Sequence, residues 1–170
     1  GVSVLVEKPI ADNLASASAI IEKCKKKGVK LQVGHVERFN PAVKVIEREM
    51  SNLNVISITI TRLGPLPPRI KDVGVVVDLA SHDIDIIRVL TKSGFRKLHS
   101  MVTGGLTDGR EDTALLSFEM ENGILCHINT NWLTPFKVRE LNIAAKEKYV
   151  KGWLIEQRVS EYEAHSDGSY

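Results

Sequence analysis

The sequence predicts an α/β segment followed by an α+β one: a short parallel unit, then an open, mainly antiparallel sheet covered by helices on one face. Three observations carry this. Residues 1 to 34 read strand–helix–strand, the unit from which parallel sheets are built. From Val55 onward apolar and polar residues alternate with period two, as in a half-buried strand. Asn122-Gly123, a strong hairpin signal, joins two such stretches.

Each element has its own reason. Val2-Ser3-Val4-Leu5-Val6 is a Val/Leu run of the kind buried on both faces inside a parallel sheet. It stands at the start of the chain with no initiator Met, so the chain is expected to be a piece of a longer protein that supplies the neighbouring strands. Asp12 or Asn13 caps a helix whose Leu14, Ala17, Ile20, Ile21 and Cys24 recur at helical intervals, and Gly28 ends it. Leu31 to Gly34 forms the second strand. Asn40-Pro41 pairs an N-cap with proline at the first helical position and opens a helix with Val43, Ile46 and Met50 on one face. Ile56, Ile58 and Ile60 then alternate with Ser57, Thr59 and Thr61, and the prolines between Gly64 and Gly74 mark a loop. Further strands are expected near 96–103, 113–120, 124–132, 138–145 and 149–155. On the hairpin strands one face packs under the helices, and the other carries Leu115, Ser117, Glu119, His127, Asn129 and Asn131.

Composition removes several classes of function. The 170 residues are 43% hydrophobic and 26% charged, which is neither disordered nor fibrous. Twenty-three Lys and Arg against 21 Asp and Glu give a net charge of +2, no basis for a nucleic-acid or anionic-membrane partner. The run Lys25-Lys26-Lys27 complements the carboxyl end of a helix. Two cysteines, Cys24 and Cys126, make neither a disulfide scaffold nor a zinc site and suit a reducing, cytoplasmic setting. No apolar run reaches the roughly 18 residues of a membrane helix.

The chemistry lies between the strands. Val76, Leu79, Ala80, Ile84, Ile86, Ile87 and Leu90 predict a largely buried helix over 75–90. At about 100° per residue, Asp78, His82 and Asp85 fall on one stripe of it, while Asp83 does not. Buried ionisable groups are costly unless paired, so the stripe needs a partner or a function. Three readings stand side by side: His82 as a general base oriented by an aspartate, Asp78 and His82 as a structural hydrogen-bonded pair, or two metal ligands. The metal reading lacks a third ligand, and no metal site is expected.

Glu7-Lys8-Pro9 leaves the carboxyl end of the first strand, the edge at which open parallel sheets bind ligands. Alone, a loop lysine is a solvated one. Together with Val33-Gly34-His35-Val36-Glu37-Arg38-Phe39-Asn40-Pro41 and the segment Gly74 to Asp85, in this order, it resembles the Gfo/Idh/MocA oxidoreductases, two-domain NAD(P)-dependent sugar dehydrogenases. The likeness extends more loosely to about residue 160. It implies that residues 1–36 are the C-terminal remnant of a Rossmann NAD(P)-binding domain and residues 37–170 a substrate-binding and oligomerisation domain. It also implies that Lys8, Asp78 and His82 are catalytic and that Glu7, Lys8 and Pro9 border the cofactor, NAD or NADP. In that mechanism His82 takes the proton of a sugar hydroxyl while hydride leaves for the nicotinamide, Lys8 stabilises the developing alkoxide, and Asp78 orients His82 or Lys8.

The family's G-x-G-x-x-G fingerprint is absent. Gly104-Gly105-Leu106-Thr107-Asp108-Gly109 has Leu106 at the second glycine and precedes a strand. The pyrophosphate cradle is therefore expected upstream, and this chain alone is expected to bind dinucleotide poorly. Residues 34–41 are most similar to a branch acting on the C3 hydroxyl of UDP-N-acetylglucosamine. For such a substrate Arg38 suits an oxyanion and Asp85 a sugar hydroxyl, with Asn40 a further contact, although Asn40 reads first as an N-cap and Arg38 equally as a surface bridge. His35 reads as structural and Trp132 as core before sugar platform. The resemblance implies homodimers or homotetramers through the sheet. The alternatives are a non-catalytic sugar-binding or oligomerisation module, another sugar or cyclitol dehydrogenase, and a metal-dependent isomerase or epimerase.

Overall fold

The computed structural model describes residues 1–106 and 109–163. The chain divides into two compact units, one spanning Gly1–Val36 and the other beginning at Glu37.

In the first unit, β1 (Val4–Glu7) and β2 (Leu31–Gly34) pair in parallel, with Val4 opposite Leu31 and Glu7 opposite Gly34. Helix α1 (Leu14–Lys26) joins them. Asn13 caps it by accepting from the backbone N–H of Ser16 at 2.8 Å, and Gly28 follows its end at φ +61°, the left-handed setting that glycine adopts without strain. The apolar run of β1 is not covered on both faces within this chain: Val4 is 44% and Leu5 72% exposed, because β2 is its sole paired neighbour among the described residues.

The second unit opens with a 3₁₀ turn (Val36–Phe39) and α2 (Pro41–Met50). A seven-stranded sheet follows in the order β4-β5-β6-β3-β7-β8-β9, built from β3 (Val55–Pro65), β4 (Phe95–Thr103), β5 (Thr113–Met120), β6 (Leu125–Asn131), β7 (Leu133–Ala145), β8 (Lys148–Trp153) and β9 (Arg158–Glu163). All pairs are antiparallel except β3 and β6. A mainly antiparallel sheet in one unit and a small parallel pair in the other make up the expected fold class. The hairpin turns where expected, with Gly123 at φ +86°.

Period-two alternation sends Ala114, Leu116, Phe118, Met120, Cys126 and Ile128 into the core, with Leu115, Ser117, Glu119, His127, Asn129 and Asn131 on the opposite face. Helices α2 and α3 (Ser81–Thr91) contribute Val43, Ile46, Ile86, Ile87 and Leu90 to the same core. At β8, a Cβ on Gly152 would lie 2.7 Å from Ile46 Cδ1, so the missing side chain is what lets α2 seat closely.

Four expectations need correction. Strand β3 runs through Gly64 to Pro65, because β7 continues to pair with it as far as Pro65 opposite Leu133. Ile56 is 51% exposed, since the register slips between Val55 and Ser57; the inward face of β3 is Ile58, Ile60 and Arg62. The helix expected over 75–90 is π-helical from Val76 to Ala80 before α3 begins. Finally β9 was not anticipated: Arg158–Glu163 is a polar edge strand with no alternation to reveal it. The glycine run 104–109 includes residues 107–108, outside the described residues.

Candidate functional site

In the first unit, Lys8 is half-buried and follows Glu7, the last residue of β1; the Lys8–Pro9 peptide is cis. Opposite Glu7, Gly34 leaves room for the carboxylate: a Cβ there would stand 3.0 Å from Glu7 Oε2. Glu7, Lys8 and Pro9 therefore form the carboxyl edge of a parallel pair, the edge of such sheets that meets ligands.

In the second unit, Asp78 and His82 are both half-buried. Asp78 sits in the π turn, and the cause of that turn is local. Ser81 donates its backbone N–H to Val76 five residues back and its hydroxyl to the Val77 carbonyl at 2.7 Å, replacing the ordinary ladder. The start of the turn is held from outside: Val75 N–H donates to the Glu111 carbonyl at 3.0 Å and Val76 N–H to Glu111 Oε1 at 3.1 Å. Gly74 permits this, since a Cβ there would collide with the Glu111 carboxylate. The π turn advances less than an α-helix per residue, so the single 100° stripe through Asp78, His82 and Asp85 does not hold.

The residues singled out for substrate are engaged with the protein. Arg38 grips Asp85 bidentately, Nε to Oδ2 at 2.7 Å and Nη2 to Oδ1 at 2.5 Å; the Asp85 side chain is 7% exposed and that of Arg38 42%. The hydrogen bond to Asp85 raises the Arg38 pKa. Both Asp85 oxygens face the guanidinium. Asn40 is spent as well: its Oδ1 accepts from Ala42 N–H at 3.0 Å to cap α2, and its Nδ2 donates to the Leu154 carbonyl at 2.9 Å. Trp132 is 2% exposed and belongs to the core.

Sequence reasoning missed a buried charge cluster. Arg62, pointing inward from β3, donates from Nε to Asp83 Oδ1 and Oδ2 at 2.8 and 3.0 Å and from Nη1 to Glu37 Oε1 at 3.1 Å. Arg139 from β7 reaches the same Glu37 oxygen at 3.5 Å. Burial pushes the Asp83 carboxyl up to about 6 against the pull of Arg62. Burial also raises Glu37, but Arg62, Arg139 and His82 overcome it and hold its carboxyl below the usual range. A detectable hint was an arginine continuing the inward series Ile58, Ile60 and an aspartate off the polar stripe.

The first unit thus presents Glu7-Lys8-Pro9 at the carboxyl edge of a parallel strand pair, and the second holds Asp78 in its π turn and His82 in the first turn of α3. Residues 55–150 match the GFO/IDH/MocA C-terminal domain, and residues 1–35 match the oxidoreductase family with an NAD-binding Rossmann fold. The chain belongs to the Gfo/Idh/MocA family. It is 26% identical over 149 residues to UDP-N-acetylglucosamine 3-dehydrogenase of Acidithiobacillus ferrooxidans, covering 88% of this chain and 47% of the relative. It is 28% identical over 174 residues to scyllo-inositol 2-dehydrogenase (NAD(+)) of Bacillus subtilis, covering 94% and 51%. The chain thus spans about half the length of these curated relatives. Among solved structures, that of the Acidithiobacillus enzyme superposes with a TM-score of 0.86 at 24% identity, over 95% of this chain and 53% of that one. The WlbA dehydrogenase of Bordetella pertussis, solved with NADH and UDP-GlcNAcA, gives 0.84 at 19%, over 97% and 54%.

Proposed function

We propose that the protein containing this chain oxidises a hydroxyl of a nucleotide sugar, with NAD or NADP as hydride acceptor. The observation that carries the proposal is the half-buried pair of Asp78 in the π turn and His82 in the first turn of α3, in a chain of this family that also presents Glu7-Lys8-Pro9 at a parallel-strand edge. His82 is the base for the hydroxyl proton, Lys8 steadies the developing alkoxide, and Asp78 orients the reacting groups. Residues 1–36 serve as the end of the cofactor domain, and residues from 37 onward bind substrate and assemble. The open strand edge and the half-buried Lys8 ammonium suit the nicotinamide end of a dinucleotide. The nicotinamide supplies the hydride acceptor when bound.

UDP-N-acetylglucosamine oxidised at C3 is the first substrate, supported by the likeness to the Acidithiobacillus enzyme and by Arg38, whose 42% exposed fork offers a face to an oxyanion while Asp85 braces it. A cyclitol is the second reading, favoured by the scyllo-inositol dehydrogenase match over 94% of the chain. The outward sheet face around Leu115 and His127 is the surface through which copies pair, and two free cysteines suit the cytoplasm. Among the described residues no helix is long and apolar enough to cross a membrane.

The test is NAD(P)⁺ reduction by the full-length protein across UDP-sugars and inositols. Lys8→Ala and His82→Ala should each lower kcat by about a hundredfold or more. Absent turnover on every substrate, or undiminished turnover in both variants, refutes the proposal.

A further inference from the structure

The reading above leaves unused the buried charges beside Asp78 and His82. The Arg62 and Asp83 side chains are 2% and 0% exposed. A buried ion pair is weak as a stabiliser, since apolar residues of the same volume serve as well or better, so stability alone does not explain it. Its connections are more telling. Asp83 follows His82 directly in the first turn of α3, so the Arg62 fork fixes the rotation of that helix one residue from the imidazole. The other branch holds Glu37, which lies within electrostatic reach of His82, while Arg139 lies within reach of Asp78. The π turn is held at its start by Glu111 and at its end by Ser81, and Arg62 adds a hold on the α3 side. The turn places one residue more in the ladder than an α-helix would, and an all-α alternative of the segment would put Asp78 and His82 at a different mutual angle.

We propose that Arg62 is a positioning residue: by clamping Asp83 on α3 and Glu37 on the 3₁₀ turn, it holds the π-to-α register from which Asp78 and His82 act. This rests on the reading of those two residues as the catalytic pair. A lysine at 62 keeps the charge but cannot span both carboxylates with a planar fork.

In full-length protein, Arg62→Lys should remain folded by circular dichroism and lose about tenfold to a hundredfold in kcat, with KM changed by no more than about twofold. A second readout needs neither substrate nor cofactor: carbethoxylation of His82 by diethylpyrocarbonate, followed by peptide mass spectrometry, should change in rate about threefold while His127 does not. Asp83→Asn, which preserves shape, should move both readouts in the same direction and keeps the test open if Arg62→Lys does not fold. Folded variants with wild-type kcat and wild-type His82 reactivity, or with a lowered melting temperature as the sole change, overturn the proposal. Loss of turnover in His82→Asn beside wild-type kcat in Arg62→Lys overturns the positioning role alone. Full turnover in His82→Asn overturns the catalytic reading itself.

Discussion

Two aspartates on α3, two residues apart, meet opposite fates. Asp83 faces the sheet and is enclosed with Arg62, whereas Asp85 meets Arg38, which keeps 42% of its side chain in solvent. Both are arginine–carboxylate pairs with short hydrogen bonds; what differs is the surrounding dielectric and the freedom to exchange partners. The enclosed pair cannot trade its carboxylate for water and so serves as a fixture. The rim pair can offer its guanidinium to an incoming oxyanion at little cost.

The largest effect expected from this contrast is on stability. Arg62→Ala leaves Asp83 buried and uncompensated and should cost about 3–5 kcal/mol, while Arg38→Ala, which admits water to the 7% exposed Asp85, should cost less, about 1–2 kcal/mol. Urea unfolding of both variants checks this, and comparable losses would erase the distinction. Next comes the seating of the helices over the enclosed pair. Gly152→Val drives a side chain against Ile46 and should cost about 1–3 kcal/mol by the same measurement, with no effect if α2 sits loosely.

A smaller effect separates the two carboxylates held by Arg62 by pH. The folded-state value of Asp83 lies above its ordinary 3.8, at about 6, so the native state binds this proton before the unfolded chain does. The contribution of Asp83 is therefore fully present below the ordinary value and lost as pH rises through about 6. The stability gap between wild type and Asp83→Asn should narrow over that window. Glu37, held low, acts with the opposite sign: its contribution is lost as pH falls below the ordinary 4.5. Melts at stepped pH distinguish the two, and a constant gap for Asp83→Asn would contradict its raised value. The smallest effect concerns thiols. Burial pushes Cys126 up to about 12, so iodoacetamide should label the partly exposed Cys24 well before Cys126. Equal labelling rates would show that the sheet core opens.

Much of this architecture was legible because short-range rules govern it. Asn13 and Asn40 cap helices, Gly28 and Gly123 take positive φ, and alternation assigned both faces of β5 and β6 correctly. The site was legible only in part. Residue types and order offered Lys8, Asp78 and His82 as candidates, but helical periodicity assumed a uniform turn, and the Ser81 hydroxyl together with Glu111 holds another.

The amino-acid order alone determined most of the elements, the caps of α1 and α2, the hairpin turn and the family likeness, since each depends on residues near one another in the chain; β9, the end of β3 and the π turn lay beyond it. Tertiary structure alone decided which charges meet: Arg38 with Asp85 lie 47 residues apart, Arg62 with Asp83 21, and Arg62 with Glu37 25. The physical reason is that periodicity reports which side of an element is buried, whereas pairing across a core depends on how sheet order and register bring distant faces together.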